Sequence, residues 1–261
     1  MTATKTPEPE TPKPCRFKLD IPTERSKKAS KLEEFTWILY GPPKIGKSTL
    51  ANHFGKSPFF IAAEESLKFL EVYRLPSKED GALRSWKEFK RVCQAISEAI
   101  AEDRFPHDTI VIDTADVLLM FCTEYICAIN EIKHPSDLPY GKGGALVTEE
   151  FSRVITKLTN LGKGMVFICH SKEKEMKIKN IESTKTTTSL SGGSGKFLSG
   201  LVDVIVYIGY DESDPGKRKI FLQGNEYLEA GGREKQLPAS IPFDTEAEVY
   251  EQIKKHFKGE K

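Results

Sequence analysis

The sequence predicts an α/β fold with a mostly parallel central sheet, helices on its faces and an antiparallel hairpin at the C-terminal edge. Three observations predict it. The short β-branched and aromatic runs FTWILY (35–40), PFFIAA (58–63), TIVID (109–113), GMVFICH (164–170) and LVDVIVYIGY (201–210) read as buried strands. Stretches with helical spacing lie between them, the alternation that builds a parallel sheet. After the fifth run, DPGKRKIFLQ reads as a turn with a returning strand over 217–223, which gives the sheet its antiparallel edge.

Taken in order, residues 1–14 alternate Pro, Thr and charge with nothing to bury and are expected to form a disordered tail, leaving 15–261 as a single domain. CRFKLDI (15–21) alternates well enough for a first edge strand. KSTLANHF (47–54) starts a helix that Gly55 and Pro58 stop. Over 85–102, Ser85 and Glu88 make a capping box, and Trp86, Phe89, Cys93, Ile96 and Ile100 recur at helical spacing. Helices are expected at 117–132 and 148–161, with the Gly-rich loop DLPYGKGG (137–144) between them. The polar segment 171–200 reads as a mobile loop. A last helix is expected within 244–258, where Thr245 and Glu248 form a second capping box and Val249, Ile253 and Phe257 an apolar stripe.

Charge and cysteine usage narrow the function classes. With 39 Lys and Arg against 38 Asp and Glu, the chain is not coated in positive charge, so any nucleic-acid contact must come from a local patch. No apolar run is long enough to span a bilayer and the N-terminus lacks a signal-peptide core, so a cytoplasmic protein with no membrane partner is expected. Cys15, Cys93, Cys122, Cys127 and Cys169 have neither C-x-x-C nor zinc spacing and read as buried free thiols.

GPPKIGKS (41–48) satisfies G-x-x-x-x-G-K-[ST] between a buried strand and a helix. Its glycines let backbone N–H groups wrap a phosphate, so Gly41, Pro42, Pro43, Lys44, Ile45, Gly46, Lys47, Ser48 and Thr49 form the candidate nucleotide-binding loop. Lys47 should reach the β- and γ-phosphates and the Ser48 hydroxyl should bind Mg2+. Lys44 reads as a surface lysine, with action in cis on the γ-phosphate as its alternative. Asp113 ends its strand as a carboxylate that holds the metal shell should, while Thr114 and Asp116 stand either beside the metal or as helix caps. Cutting the nucleotide needs a group that orients water. Glu64 follows the second strand at the carboxyl edge of the sheet and is the candidate, with Glu65 as rival and a solvent-facing pair as the plainer reading. His170 ends the fourth strand either as a γ-phosphate sensor or as a satisfied strand-end histidine. Lys172, Lys174, Lys177, Lys179 and Lys185 suit contacts to a nucleic-acid backbone, or else sit in a solvated loop.

The order of GPPKIGKS, FIAAEESL, TIVIDTADVL, YGKGGALVTEEF, GMVFICHSKEKE, SGKFLSGLVDVIVYI and EAGGREKQLP resembles phage-encoded nucleotide-binding ATPases of AAA type with a minimal RecA-like core. Some of these are single-strand annealing or recombination proteins. The resemblance covers 35–257 and implies a RecA-like P-loop fold, ATP with Mg2+, Glu64 as the water-activating glutamate and His170 as the polar sensor. It implies that the segment after His170 is the second DNA-binding loop, with the first near DLPYGKGG, and that Lys196 and Arg233 touch a neighbouring subunit's ATP in trans. Arg233 departs from the family's Lys-Asp-Arg, being preceded by Gly231 and Gly232. Implied partners are single-stranded DNA, further copies of the chain in a ring or filament, and a single-strand-binding protein or other phage recombination or replication factor. No guanine-specific motif follows the metal-binding strand, and the arginines are too few and scattered for a kinase lid. The expectation is therefore an ATP hydrolase acting on single-stranded DNA. Its rival is a nucleotide-gated loader or packaging factor with negligible turnover.

Overall fold

The structure, a computed structural model, describes residues 21–26, 28–178, 181–211, 213–234 and 237–258. Its strands are β1 (Thr36–Gly41), β2 (Pro58–Ala62), β3 (Tyr73–Leu75), β4 (Thr109–Asp113), β5 (Gly164–Ile178), β6 (Ile181–Thr188), β7 (Val204–Asp211), β8 (Asp214–Phe221), β9 (Gly231–Gly232) and β10 (Ser240–Phe243). Its helices are α1 (Lys47–Ala51), α2 (Trp86–Ala101), α3 (Ala115–Ile129), α4 (Lys142–Thr159), α5 (Gly192–Leu201) and α6 (Glu246–Lys258). The strands run in the order β10-β8-β7-β1-β5-β4-β2-β3. From β3 to β7 all pairings are parallel, and β8 and β10 add antiparallel strands at the C-terminal edge, as the sequence predicts.

Both faces of the sheet are covered, which is why its strands read as continuous apolar runs. Along β1, Ile38 and Tyr40 join one core with Trp86 and Phe89 of α2, Leu118 of α3, Phe151 of α4 and Leu198 of α5. Trp37 and Leu39 join the other with Leu50 of α1 and Val249, Ile253 and Phe257 of α6. Each such side chain contributes about 2 kcal/mol by leaving water. Of each expected capping box the hydroxyl bond forms: Ser85 Oγ accepts from Glu88 N at 3.2 Å, and Thr245 Oγ1 from Glu248 N at 3.3 Å, while the Glu88 carboxylate accepts from Arg84 N rather than from Ser85 N. Cys122, Cys127 and Cys169 are buried free thiols, and Cys93 is half-buried.

Several elements differ from the reading of the sequence. The segment expected as one mobile loop over 171–200 is instead a β-hairpin followed by a helix. β5 continues past the sheet, pairs antiparallel with β6 from Ser171↔Thr188 to Ile178↔Ile181, and leads through 189–191 into α5. The Thr run in β6 is β-branched and suits a strand despite its polarity. α4 starts at Lys142 inside the supposed Gly-rich loop, and a Cβ on Gly143 would stand 2.1 Å from Pro135 O. That glycine serves close packing within a helix. α1 stops at Ala51, and Phe54 beyond it turns inward to meet Trp37 at 5.1 Å between ring centroids. The short strands β3, β9 and β10 carry no clear pattern in the sequence. The expected tail over 1–14 and nearly all of the edge strand expected over 15–21 lie outside the described residues; Ile21 is in no strand.

Candidate active site

The carboxyl ends of β1, β4 and β5 bring the candidate residues together. Register sets Gly41 beside His170, and Asp113 beside Ala62 on one side and Ile168 on the other. A Cβ on Gly41 would lie 2.2 Å from Ile208 O, so the loop can leave the sheet here only through glycine. Gly46 has φ 104°, and Lys44 holds the left-handed region at φ 62° on the exposed rim. Behind the loop, Arg218 of β8 donates to Ile45 O and Glu246 Oε1, both at 3.1 Å, and stacks 3.9 Å from the centroid of Phe243. Nothing in the sequence marks this brace.

Lys47 is buried at 7% exposure and donates to Gly41 O at 3.0 Å and Pro42 O at 2.8 Å. An ammonium has three donors, so one remains for an incoming oxygen. Burial pulls its pKa down, against the opposing pull of Asp113, Asp116 and Glu64. Ser48 Oγ donates to Asp113 Oδ2 at 2.7 Å, and Ser66 Oγ to the same oxygen at 2.8 Å. Ser66, on the loop after β2, is absent from the candidates the sequence suggests. Thr114 occupies the N-cap position of α3 but makes no side-chain cap bond, and its Oγ1 is buried without a partner.

A hydroxyl and a carboxylate sharing one place form the hard-oxygen pair that Mg2+ takes from a P-loop protein. Among the described residues no group of three or more His, Cys, Asp or Glu could hold a metal. An ion at Ser48 and Asp113 would draw the rest of its shell from phosphate and water, as Mg2+ does. The residues present therefore fit the ion.

Asp113 is 1% exposed, and burial raises its carboxyl pKa against the lowering effect of Ser48, Ser66, Lys47 and His170. A raised folded-state pKa means that this group favours folding below the ordinary carboxylate range and loses that contribution as pH rises through the folded value. Once ionised, the buried carboxylate disfavours the nucleotide-free folded state. Asp113→Asn is expected to raise the melting temperature of the nucleotide-free protein by a few degrees at pH 7.5, and by less at pH 4.5, while removing the extra stabilisation by ATP that depends on Mg2+. Thermal-shift curves at both pH values check this; a lower melting temperature for the variant at pH 7.5 contradicts it.

Ala63 N and Glu64 N both donate to Asp113 O, at 2.7 and 3.3 Å, which draws the chain after β2 across the end of β4. Glu64 is half-buried, and its pKa is raised by burial and by Asp113, with His170 opposing. Its rival Glu65 turns to solvent and pairs with Lys68 at 2.6 Å. Asp116 lies in the first turn of α3 with Oδ2 2.8 Å from His170 N and 3.3 Å from His170 Nδ1, and its Oδ1 accepts from Ser189 Oγ.

The remaining candidates are spread out. On the hairpin, Lys174 of β5 stands directly opposite Lys185 of β6, and Lys172 donates to Ser189 O and Leu190 O at 3.0 and 3.2 Å. Lys177 is in register with Glu182, and Lys179 lies outside the described residues. Lys196 is exposed on α5. Arg233 is held within the chain, donating to Asp203 Oδ1 at 3.1 Å and Gly200 O at 2.9 Å. Because Asp203 also accepts from Thr36 N at the start of β1, Arg233 sits at the end of the sheet opposite the P-loop.

Comparison with known proteins identifies a family. A family model described as an AAA domain, AAA_24, matches residues 33–234. The SPbeta prophage-derived uncharacterized protein YorG of Bacillus subtilis (strain 168) is 25% identical over 150 residues, which cover 56% of this chain and 43% of that protein, so the match spans less than half of the relative's length. The KaiC-like protein PH0186 from Pyrococcus horikoshii OT3 superposes with a TM-score of 0.45 at 13% identity, covering 82% of this chain and 88% of that one. No helix among the described residues is long and apolar enough to cross a membrane. With a P-loop, a strand-end aspartate bonded to its serine and a family match over most of its length, the chain belongs to the AAA domain family AAA_24.

Proposed function

We propose that this protein is a Mg2+-dependent ATP hydrolase of RecA-like type that acts on single-stranded DNA in phage recombination, annealing or replication. The observation that carries the hydrolase reading is the convergence of Lys47, the Ser48–Asp113 pair and Glu64 at one sheet edge. Loop N–H groups and Lys47 hold the phosphates, and Glu64 orients the attacking water. Mg2+, when bound at Ser48 and Asp113, neutralises charge that develops on the phosphoryl oxygens. The exposed Lys196 suits contact with ATP held by a neighbouring copy in a ring or filament.

The DNA reading rests on the hairpin. Like charges directly opposite on a two-stranded ribbon repel, so the Lys174–Lys185 pair costs stability unless an anion lies across it. A phosphate backbone supplies that anion without being read for sequence. Single-stranded DNA is expected to stimulate steady-state ATP turnover. Exchanging Lys174 and Lys185 for alanine together should weaken DNA binding and flatten its salt dependence by roughly 0.7 in slope for each phosphate no longer neutralised. An unchanged slope removes the hairpin from the interface, and a low turnover indifferent to DNA favours the nucleotide-gated loader.

A further inference from the structure

One carboxylate ties together the two ends of the hairpin's base. Asp116 lies in the first turn of α3 only three residues after Asp113, yet the bonds its carboxylate makes leave the helix. Oδ2 accepts from the His170 amide of β5 at 2.8 Å, and Oδ1 accepts from Ser189 Oγ just beyond β6. His170 is the junction residue of β5: up to it the strand pairs with β1 at Gly41, and from Ser171 onward it pairs with β6. Ser189 N closes the same junction by donating to His170 O at 2.8 Å.

The plainer account, that Asp116 is an acidic residue favoured at a helix start, does not explain these bonds. A capping carboxylate bonds its own helix's amides, whereas His170 and Ser189 both lie in the hairpin's base. Its partner His170 is in register with Gly41, so the bond sets Asp116 at the junction beside the start of the P-loop. A second contact runs through Tyr40 of β1, whose single hydroxyl proton lies within reach of Glu229 O and, at 3.3 Å, of Thr186 O of β6.

We infer that Asp116 is a positioning residue that couples nucleotide occupancy to the set of the hairpin, by holding the His170 and Ser189 junction in one register beside the γ-phosphate position. This rests on the ATP-binding reading above, but not on DNA being the partner. Incoming phosphate oxygens change the charge that Asp116 faces, and the carboxylate passes that change to the hairpin base through its bonds to His170 and Ser189. Coupling of this kind is a difference in hairpin stability between the nucleotide-free and the nucleotide-bound site.

The test is hydrogen exchange read by mass spectrometry over hairpin peptides, with and without Mg2+ and a slowly hydrolysed ATP analogue, alongside fluorescent-nucleotide binding. In the unaltered protein, nucleotide should slow exchange at the hairpin base by roughly tenfold. Asp116→Ala should bind nucleotide within about threefold of the unaltered protein but lose that protection, and lower kcat with little change in KM. Ser189→Ala, which removes one tie at a half-buried position, should lose part of the protection and guards against a variant that fails to fold. Asp116→Asn, which keeps an acceptor oxygen, should retain part of it. Nucleotide binding with unchanged hairpin exchange in the unaltered protein, or full protection in Asp116→Ala, overturns the coupling alone. Absence of nucleotide binding by the unaltered protein overturns the ATP reading and the coupling with it.

Discussion

Lys47→Ala is expected to lower affinity for Mg2+-ATP by roughly a hundredfold or more and to abolish turnover, with the fold intact. Two costs compete in the folded chain. Lys47 is buried, and its pKa is pulled down by desolvation, so its charge is held in place at a cost to the nucleotide-free protein. Truncation removes that cost but leaves Gly41 O and Pro42 O without their donor, and the two effects offset each other in stability. They do not offset in binding, where a charge-assisted hydrogen bond to phosphate in a dry site simply disappears. Isothermal titration with ATP and with ADP, beside a melting curve, checks both halves. Affinity for ATP within a few-fold of the unaltered protein would show that this loop does not hold the phosphate chain.

How much of this is legible in the sequence depends on whether a residue acts locally. The P-loop, the strand that ends in Asp113 and the buried strand before each are readable because local backbone requirements fix their residue types. Gly41 must approach Ile208 O and Gly46 must take a positive φ, so both positions exclude other residues. Glu64 is singled out in the sequence by its place after a buried strand, and in the structure it is half-buried where Glu65 is exposed and paired with Lys68. What sequence does not supply are contacts made across the fold. Ser66 reaches Asp113 from 47 positions away, and Arg218 reaches Ile45 from 173. Neither has a spacing that marks it.

The hairpin escapes a sequence reading for a different reason. Its strands are largely polar and so lack the apolar alternation by which strands are recognised, and only the β-branched threonines of 184–188 hint at it. Gly143 misleads in the opposite direction, because a glycine required for helix contact looks the same in sequence as one required for a turn. Arg233 is suggested by likeness of position alone, and the structure finds its guanidinium engaged with Asp203 and Gly200.

Glu64→Gln separates holding from cutting. The amide keeps the shape of the side chain and can still accept one hydrogen bond, but it cannot take a proton from water. Turnover is expected to fall by about 10²–10⁴-fold, the range that general-base groups contribute. Binding of Mg2+-ATP should hold or tighten, because Glu64 stands near enough to Asp113 for each charge to disfavour the other, and a neutral amide relieves that repulsion where the phosphate charge must enter. Single-turnover hydrolysis measured at saturating ATP isolates the chemical step from product release. If the variant turns over at the unaltered rate, water is oriented by another group. Since Glu65 is exposed and paired with Lys68, the search would then move to His170, whose amide is fixed by Asp116 at the same sheet edge.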